Sequence, residues 1–335
     1  MEVRRLGTSD IMVTPMAFGA WAIGGWMWGG AEEKEALIAV KAAYEAGITT
    51  IDTAPAYGFG RSEELISKAL EGIPRSNYQL LTKFGLNWST AQGEYYFDSV
   101  DNDGKAFKMF KWASKERVMK ECEDCLGRLK TDYIDLFQIH WPDSTTPVNE
   151  TFEAVQRLIE QGKVRAAGVC NYNTMLVSEA LDTIQLASNQ VPYSLVFRDM
   201  EKEVIPQAIE KALGIISYSP LQRGLLTGKI KPGHHFSEGD TREGNRFYTD
   251  ENIIKVNLLL ESLKPIAEKY KATIGQLVIN WTMHRPGIAC VLVGARNAAQ
   301  VNDNAKAFHF SLSKEDADTI TALADQYTTP SLKPA

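Results

Sequence analysis

Apolar positions fall into two alternating rhythms along this chain. Short, nearly unbroken apolar runs occur at Met16–Gly19, Ile48–Ile51, Tyr78–Lys83, Tyr133–His140, Val164–Val169, Leu186–Val191, Ile215–Tyr218 and Ala289–Val293. Their length, β-branched content and flanking turn residues predict strands buried on both faces. Between them the period lengthens. Ala36, Leu37, Val40, Ala43 and Tyr44 form one helical stripe that Gly47 ends, and Val118, Cys122, Cys125, Leu126 and Leu129 form another. Strand–helix alternation repeated eight times predicts an α/β fold, a (β/α)8 TIM barrel over about 16–310. A β-hairpin over 2–13 is expected around Gly7-Thr8-Ser9-Asp10. Ser313 with Asp316 opens a closing C-terminal helix over about 313–325, and the whole of 1–335 is read as one domain.

Two stretches break the rhythm. Residues 85–114 hold Trp88, Tyr95, Tyr96 and Phe97, and residues 222–250 are rich in glycine and charge. Both follow the C-terminal ends of strands, the barrel face that carries active sites, so long loops forming a lid or a substrate pocket are expected there. A third glycine-rich segment, GAWAIGGWMWGG, carries Trp21, Trp26 and Trp28, which either wall a pocket or simply pack their loop.

The segment Gly47 to Glu64, GITTIDTAPAYGFGRSEE, concentrates the candidate chemistry. Asp52 stands at a strand exit, where a charge is cheap to solvate and easy to aim, and Tyr57 follows in a tight turn. Ser62, Glu63 and Glu64 suit the start of the next helix. Lys83 and His140 lie at the ends of two further strands. Taken singly, these residues are equally well a strand-end ion pair, a packed aromatic and a satisfied histidine; together they bring complementary chemistry to one face.

Composition narrows the classes. The 335 residues are 44% hydrophobic and 23% charged, and 36 basic against 42 acidic residues give −6, with no basic footprint for nucleic acid. No apolar run reaches membrane-spanning length and no signal-peptide core follows Met1, so a cytoplasmic protein is expected. Cys122 and Cys125 form a C-x-x-C inside a helical pattern, without a second ligand pair, and are read as buried thiols. His234-His235 lacks a third ligand nearby, so no metal site is expected.

The 47–64 segment resembles the signature of the aldo-keto reductases, particularly bacterial reductases related to potassium-channel β subunits. Further matches run in order: Leu81-Thr82-Lys83, Asp135-Leu136 through Ile139-His140-Trp141, Gly168-Val169-Cys170-Asn171, Tyr218-Ser219-Pro220-Leu221, and Gly294-Ala295-Arg296 with Gln300 and Asn304. The resemblance implies that the hairpin plugs the barrel bottom and that a small-molecule aldehyde or ketone is reduced by hydride from NADPH. It assigns Tyr57 as proton donor, Lys83 as the cation that eases loss of its proton, Asp52 as the partner of Lys83, and His140 as the group orienting the carbonyl oxygen. It implies Asn171 and Gln190 at the nicotinamide carboxamide and Tyr218 on the ring face. Ser219, Pro220 and Leu221 with Arg223 and Lys229 would grip the pyrophosphate. Gly294, Arg296, Gln300 and Asn304 would meet the adenosine end, Arg296 reading the 2′-phosphate, with Asp303 the only nearby acid. Trp21, Trp88 and Trp141 would line the substrate pocket. Cys170 departs from the serine usual before that asparagine. No G-x-G-x-x-G follows a first strand, so the cofactor would bind in the extended family manner. The resemblance also admits a cofactor-binding regulatory or redox-sensing subunit; a hydrolase or lyase using Asp52 and His140 would want nucleophile or metal spacing that is not found. Oligomeric state is left open.

Overall fold

Eight parallel strands close into a barrel in a computed structural model that describes residues 2–237 and 239–328. Met1, Glu238 and the last seven positions of the expected 1–335 domain lie outside the described residues. The chain begins with a two-stranded antiparallel hairpin, β1 (Arg4–Arg5) and β2 (Met12–Val13). Barrel strand β3 (Met16–Gly19) leads to α1 (Glu33–Glu45), β4 (Thr50–Asp52) to α2 (Arg61–Ala69), and β5 (Gln79–Phe84) to the first inserted segment.

That segment corrects the expectation of a loop: it is a three-stranded antiparallel sheet of β6 (Leu86–Asn87), β7 (Glu94–Val100) and β8 (Ala106–Lys111), ordered β6-β8-β7. The turn signal Asn102-Asp103-Gly104 between two alternating runs is the hairpin cue that identifies it in the sequence.

The barrel resumes with α3 (Lys115–Leu129), β9 (Ile134–Ile139), α4 (Val148–Glu160), β10 (Val164–Cys170), α5 (Thr174–Leu181), β11 (Leu186–Pro192), α6 (Val204–Glu210), β12 (Gly214–Tyr218), α7 (Asp250–Lys269), α8 (Ile274–Met283), β13 (Ile288–Gly294), α9 (Ala298–Ala305) and α10 (Lys314–Thr328). Strands β3, β4, β5, β9, β10, β11, β12 and β13 follow one another around the ring, and β13 pairs back onto β3. Cys122 and Cys125 are buried free thiols on α3. The closing helix starts where expected: the Asp316 N–H donates to Ser313 Oγ at 3.1 Å.

The barrel interior is layered. Leu81, Leu136, Ile216 and Cys290 fill its lower part against Leu6, Ile11 and Val13 of the hairpin, all fully buried. Gly7 makes this plug possible. Its φ is +59°, and a side chain there would begin 2.4 Å from the Ala187 carbonyl oxygen near the start of β11. With the bottom sealed by apolar groups, the polar residues of the same strands collect at the C-terminal mouth.

Candidate active site

Asp52 ends β4 and Lys83 is the next-to-last residue of β5, so both side chains reach the same height in the barrel. Contrary to the expectation of a solvated strand-end acid, Asp52 is only 1% exposed and Lys83 is fully buried. Burial of both charges is tolerable because both carboxylate oxygens and two of the three ammonium protons are answered. Lys83 Nζ donates to Asp52 Oδ1 at 2.6 Å and to the Thr53 carbonyl at 2.8 Å. Asp52 Oδ2 accepts from Gln190 Nε2 at 2.9 Å and from Gln138 Nε2 at 3.3 Å. Gln138 also accepts from Gln190 Nε2 at 3.2 Å. Gln138 was not among the sequence candidates. Its signal is a lone amide inside the apolar run Leu136-Phe137-Gln138-Ile139, two positions from His140. Gly168 gives it room, since a side chain there would begin 3.0 Å from Gln138 Cγ.

Tyr57 sits over this pair. Its loop is pressed backbone to backbone against the 19–30 segment: Gly58, at φ +71°, brings its α-carbon so near Gly24 that a side chain would begin 2.2 Å from the Gly24 carbonyl oxygen. The Tyr57 ring centroid lies 4.9 Å from Lys83 Nζ, 5.7 Å edge-on from the His140 ring and 6.1 Å from the stacked Trp21 ring. The four residues expected at the barrel mouth are therefore together. Burial pushes the Tyr57 hydroxyl up to about 12, against the opposing pull of Lys83. Lys83 pulls in the direction expected of a cation that eases loss of the proton, but desolvation is the larger effect and the phenol is protonated at neutral pH. Burial by itself would strip the Lys83 ammonium, but Asp52, followed by Tyr57 and Cys170, more than reverses this and holds it charged. Burial first and Lys83 second keep His140 well below its ordinary value, so its imidazole is neutral.

The expected cofactor residues are only partly drawn together. Asn171 and Ser219 stand at the exits of β10 and β12 with φ of +60° and +57°, left-handed conformations that non-glycine residues hold only where the surroundings impose them. Asn171 Oδ1 accepts from the Tyr218 hydroxyl at 2.9 Å and its Nδ2 donates to the His140 carbonyl at 3.1 Å, which locks Tyr218 beside His140. Gln190 points inward, its Nε2 committed to Asp52 and Gln138. Burial makes the Cys170 thiol reluctant to ionise, and its Sγ faces Gln138 Oε1 at 3.9 Å, inside the barrel. Pro220 is buried and Leu221 packs against the core. Lys229 is exposed, and its backbone N–H bonds Thr227 Oγ1.

The second insertion folds back across the mouth. Trp28 bridges to Asp240, and three guanidinium groups surround Trp21 and Trp28: Arg223 lies 4.8 Å from the Trp21 ring, and Arg242 and Arg296 lie 5.2 and 5.4 Å from Trp28. Arg296 Nη2 donates to the Trp28 carbonyl at 2.7 Å. The expectation that Asp303 is the only acid nearby is corrected here. Asp303 Oδ1 is held by Gln276 Nε2 at 2.7 Å, whereas Asp240, remote in sequence, pairs with Arg242 at 2.6 Å close enough to act on Arg296. Gln300 is exposed and its Oε1 caps the Arg296 backbone N–H at 2.8 Å; Asn304 lies a turn further on, and Gly294 is exposed at the end of β13. Burial, then Arg242, makes the charged Arg296 less favourable than usual. Among the described residues Arg223 and Arg296 have no carboxylate partner. This excess of positive charge fits the phosphates of a dinucleotide.

Of the three pocket candidates, Trp21 stacks on Tyr57 and Trp141 packs 5.4 Å from Tyr96 of the inserted sheet. Trp88 meets Phe59 edge-on at 5.3 Å, in an apolar cluster with Trp26 and Met109 that also takes in Trp141 and Tyr96. No group of three or more possible metal ligands occurs among the described residues, and no described helix is long and apolar enough to cross a membrane.

A barrel carrying a buried Asp–Lys pair beneath a tyrosine and a neutral histidine defines a class, and sequence comparison agrees with it. The profile of the aldo/keto reductase family matches residues 15–325, and the chain belongs to that family. It is 34% identical to an aldo-keto reductase of Bacillus subtilis (strain 168), over 97% of this chain and 94% of the relative. It is also 34% identical to the NADH-specific methylglyoxal reductase of Escherichia coli (strain K12), over 96% of this chain and 97% of the relative. Among solved structures, the glycerol dehydrogenase of Gluconobacter oxydans superposes with a TM-score of 0.88 at 33% identity, over 99% of this chain and 98% of that one. The family's chemistry is nicotinamide-dependent oxidoreduction of small carbonyl compounds.

Proposed function

We propose that this protein reduces small aldehydes or ketones to alcohols with NADPH, Tyr57 delivering the proton. The observation that carries the reading is the hydrogen-bonded Asp52–Lys83 pair buried directly under the Tyr57 ring beside a neutral His140. The nicotinamide, when bound, supplies hydride to the carbonyl carbon. Tyr57 holds its proton at neutral pH and gives it to the carbonyl oxygen as charge develops there; the phenolate left behind is stabilised by Lys83, whose own charge Asp52 secures. A neutral imidazole at His140 orients the carbonyl oxygen without competing for the proton. Asn171, Tyr218 and the free Oε1 face of Gln190 would hold the nicotinamide end, and Arg223 with the Ser219–Leu221 turn the phosphates. Two relatives are named for methylglyoxal and glycerol, three-carbon compounds bearing oxygen beside the reacting carbon, which supports a small oxygenated substrate.

Replacing Tyr57 by Phe tests the role of the proton donor. Single-turnover hydride transfer should slow by at least about a hundredfold with cofactor affinity retained, the lower range for a lost general acid. An unchanged rate removes Tyr57 from the role. The choice of NADPH rests on Arg296, whose guanidinium pairs with no carboxylate among the described residues. Since a hydrogen bond to a charged group contributes about 1.5–3 kcal/mol, Arg296→Ala should weaken NADPH roughly tenfold or more and leave NADH nearly unaffected. Equal weakening of both cofactors in a fluorescence titration would mean that Arg296 does not read the 2′-phosphate, and the NADPH assignment would lose its main support.

A further inference from the structure

The antiparallel sheet inserted after β5 is fastened to the barrel mouth at both ends. On one side Trp26 Nε1 donates to the Val100 carbonyl at 3.0 Å and Asn102 Nδ2 to the Gly24 carbonyl at 3.2 Å. On the other, Ser144 Oγ donates to Glu94 Oε2 at 2.7 Å and the Ala113 N–H to Asp143 Oδ2 at 2.8 Å. The sheet therefore spans from the Trp21–Trp28 loop to the loop that follows His140.

Its register holds an irregularity at one residue. Tyr95 pairs with Phe110 and Phe97 with Met109, so Tyr96 is the extra residue of a β-bulge. In an unbroken strand Tyr96 and Phe97 would face opposite sides; a bulge re-aims a side chain. Here both rings turn toward the barrel. Phe97 stacks 6.3 Å from Trp26, and Tyr96 lies 4.7 Å from Phe97 and 5.4 Å from Trp141, the residue directly after His140. Tyr95, one position away, stays 52% exposed. Trp141, which the Tyr96 ring touches, follows His140 directly, and the His140 ring meets Tyr57 edge-on at 5.7 Å, so Tyr96 stands on the His140 side of the mouth. Burial pushes the Tyr96 hydroxyl up to about 12, yet it has no hydrogen-bond partner among the described residues. The hydroxyl is not among the buried polar atoms left without a partner, so it is accessible to a bound molecule.

We propose that Tyr96 is a specificity-determining residue whose hydroxyl hydrogen-bonds a second oxygen on the substrate, beside the carbonyl, so that hydroxyaldehydes and hydroxyketones are favoured over plain aldehydes. The apolar cluster of Trp26, Phe59, Trp88 and Met109 backs the sheet and holds the bulge in place, and Trp141 supplies the wall against which the substrate's carbon chain lies. The inference rests on the carbonyl-reductase reading above and deepens it.

The test compares glyceraldehyde with propionaldehyde, which share a carbon skeleton and differ in the extra oxygens. For the full-length wild-type protein and Tyr96→Phe, kcat/KM is measured on both aldehydes with saturating cofactor. Phe keeps the ring on Trp141 and removes only the hydroxyl, so the ratio of glyceraldehyde to propionaldehyde should fall about five- to tenfold, the value of one hydrogen bond. Tyr95→Phe, on the exposed face of the same strand, should keep the wild-type ratio. An unchanged ratio in Tyr96→Phe, or an equal shift in Tyr95→Phe, overturns the proposal. Wild-type protein that reduces neither aldehyde overturns the carbonyl reading itself, and that failure is seen before any variant is made.

Discussion

The two ends of the barrel are built from the same strands and follow opposite rules. On β5 and β9, Leu81 stands opposite Leu136; two residues further along, on the same inward face, Lys83 stands opposite Gln138. One layer is held by apolar packing against the hairpin, the other by a closed set of hydrogen bonds around Asp52. The apolar layer tolerates approximation, because a lost methyl group costs in proportion to the void it leaves. The polar layer does not, because removing one member strands a buried charge. A catalytic pair can thus be desolvated while the fold is maintained from the opposite end.

The largest effect expected from this contrast is at Lys83. Lys83→Met leaves the Asp52 carboxylate buried with only Gln138 and Gln190 as donors, and should destabilise the protein by about 3–5 kcal/mol. Adding Asp52→Asn to that variant should recover most of the loss, since it removes the stranded charge. Urea unfolding of the two single variants and the double variant checks this; a Lys83→Met cost below that of an ordinary core truncation would break the contrast.

At the other end, Leu136→Ala should cost about 2–4 kcal/mol through lost burial and a residual cavity. No partner is left charged or unsatisfied, so the cost should be the same at pH 6 and pH 8, and cofactor affinity should be retained. A pH-dependent cost would show that the two layers are coupled, and would sharpen the comparison by measuring that coupling.

Much of this architecture was legible because the strands are buried on both faces and therefore read as apolar runs; all eight begin and end within two residues of where the pattern puts them. The site residues were legible for the same reason, as polar groups at the ends of those runs: Asp52, Lys83 and His140 stand out after Ile51, Thr82 and Ile139. What could not be read was the electrostatic environment. Asp52 looks solvated at a strand exit and is buried because Gln138, Gln190 and Lys83 arrive from strands far along the chain. Asp240 was invisible beside Arg296 for the same reason: the contact is made by the 222–250 segment crossing to Trp28, which no local periodicity encodes. The inserted sheet differs from the barrel runs around it: its cue is Asn102-Asp103-Gly104 between two alternating, partly exposed runs, which a search for unbroken apolar runs passes over.

The smallest effect expected is a pH dependence at His140, where the polar end should reveal itself in acid. An unfolded histidine titrates near pH 6.5, whereas burial, and then Lys83, keeps native His140 well below that value. Between the two values the unfolded chain binds the extra proton and the native protein does not. The contribution of His140 is therefore fully present above about pH 6.5 and is lost progressively as pH falls toward its native value. The loss amounts to about 1 kcal/mol on going from pH 6.5 to 5.5. Glu121 acts in the opposite sense. Burial raises its carboxyl to about 7 despite Arg117 and the Gly85 N–H, so its contribution is lost as pH rises toward that value. The total stability curve mixes both groups, and the His140 part is isolated by difference. Wild type and His140→Gln, unfolded by urea at pH 7.5, 6.5 and 5.5, should differ by an amount that shrinks by about 1 kcal/mol between the last two points. A constant difference across the three would mean that His140 is freely solvated in the native protein, and a difference that grows as pH falls would mean that it is charged; either outcome removes the neutral imidazole on which its orienting role depends.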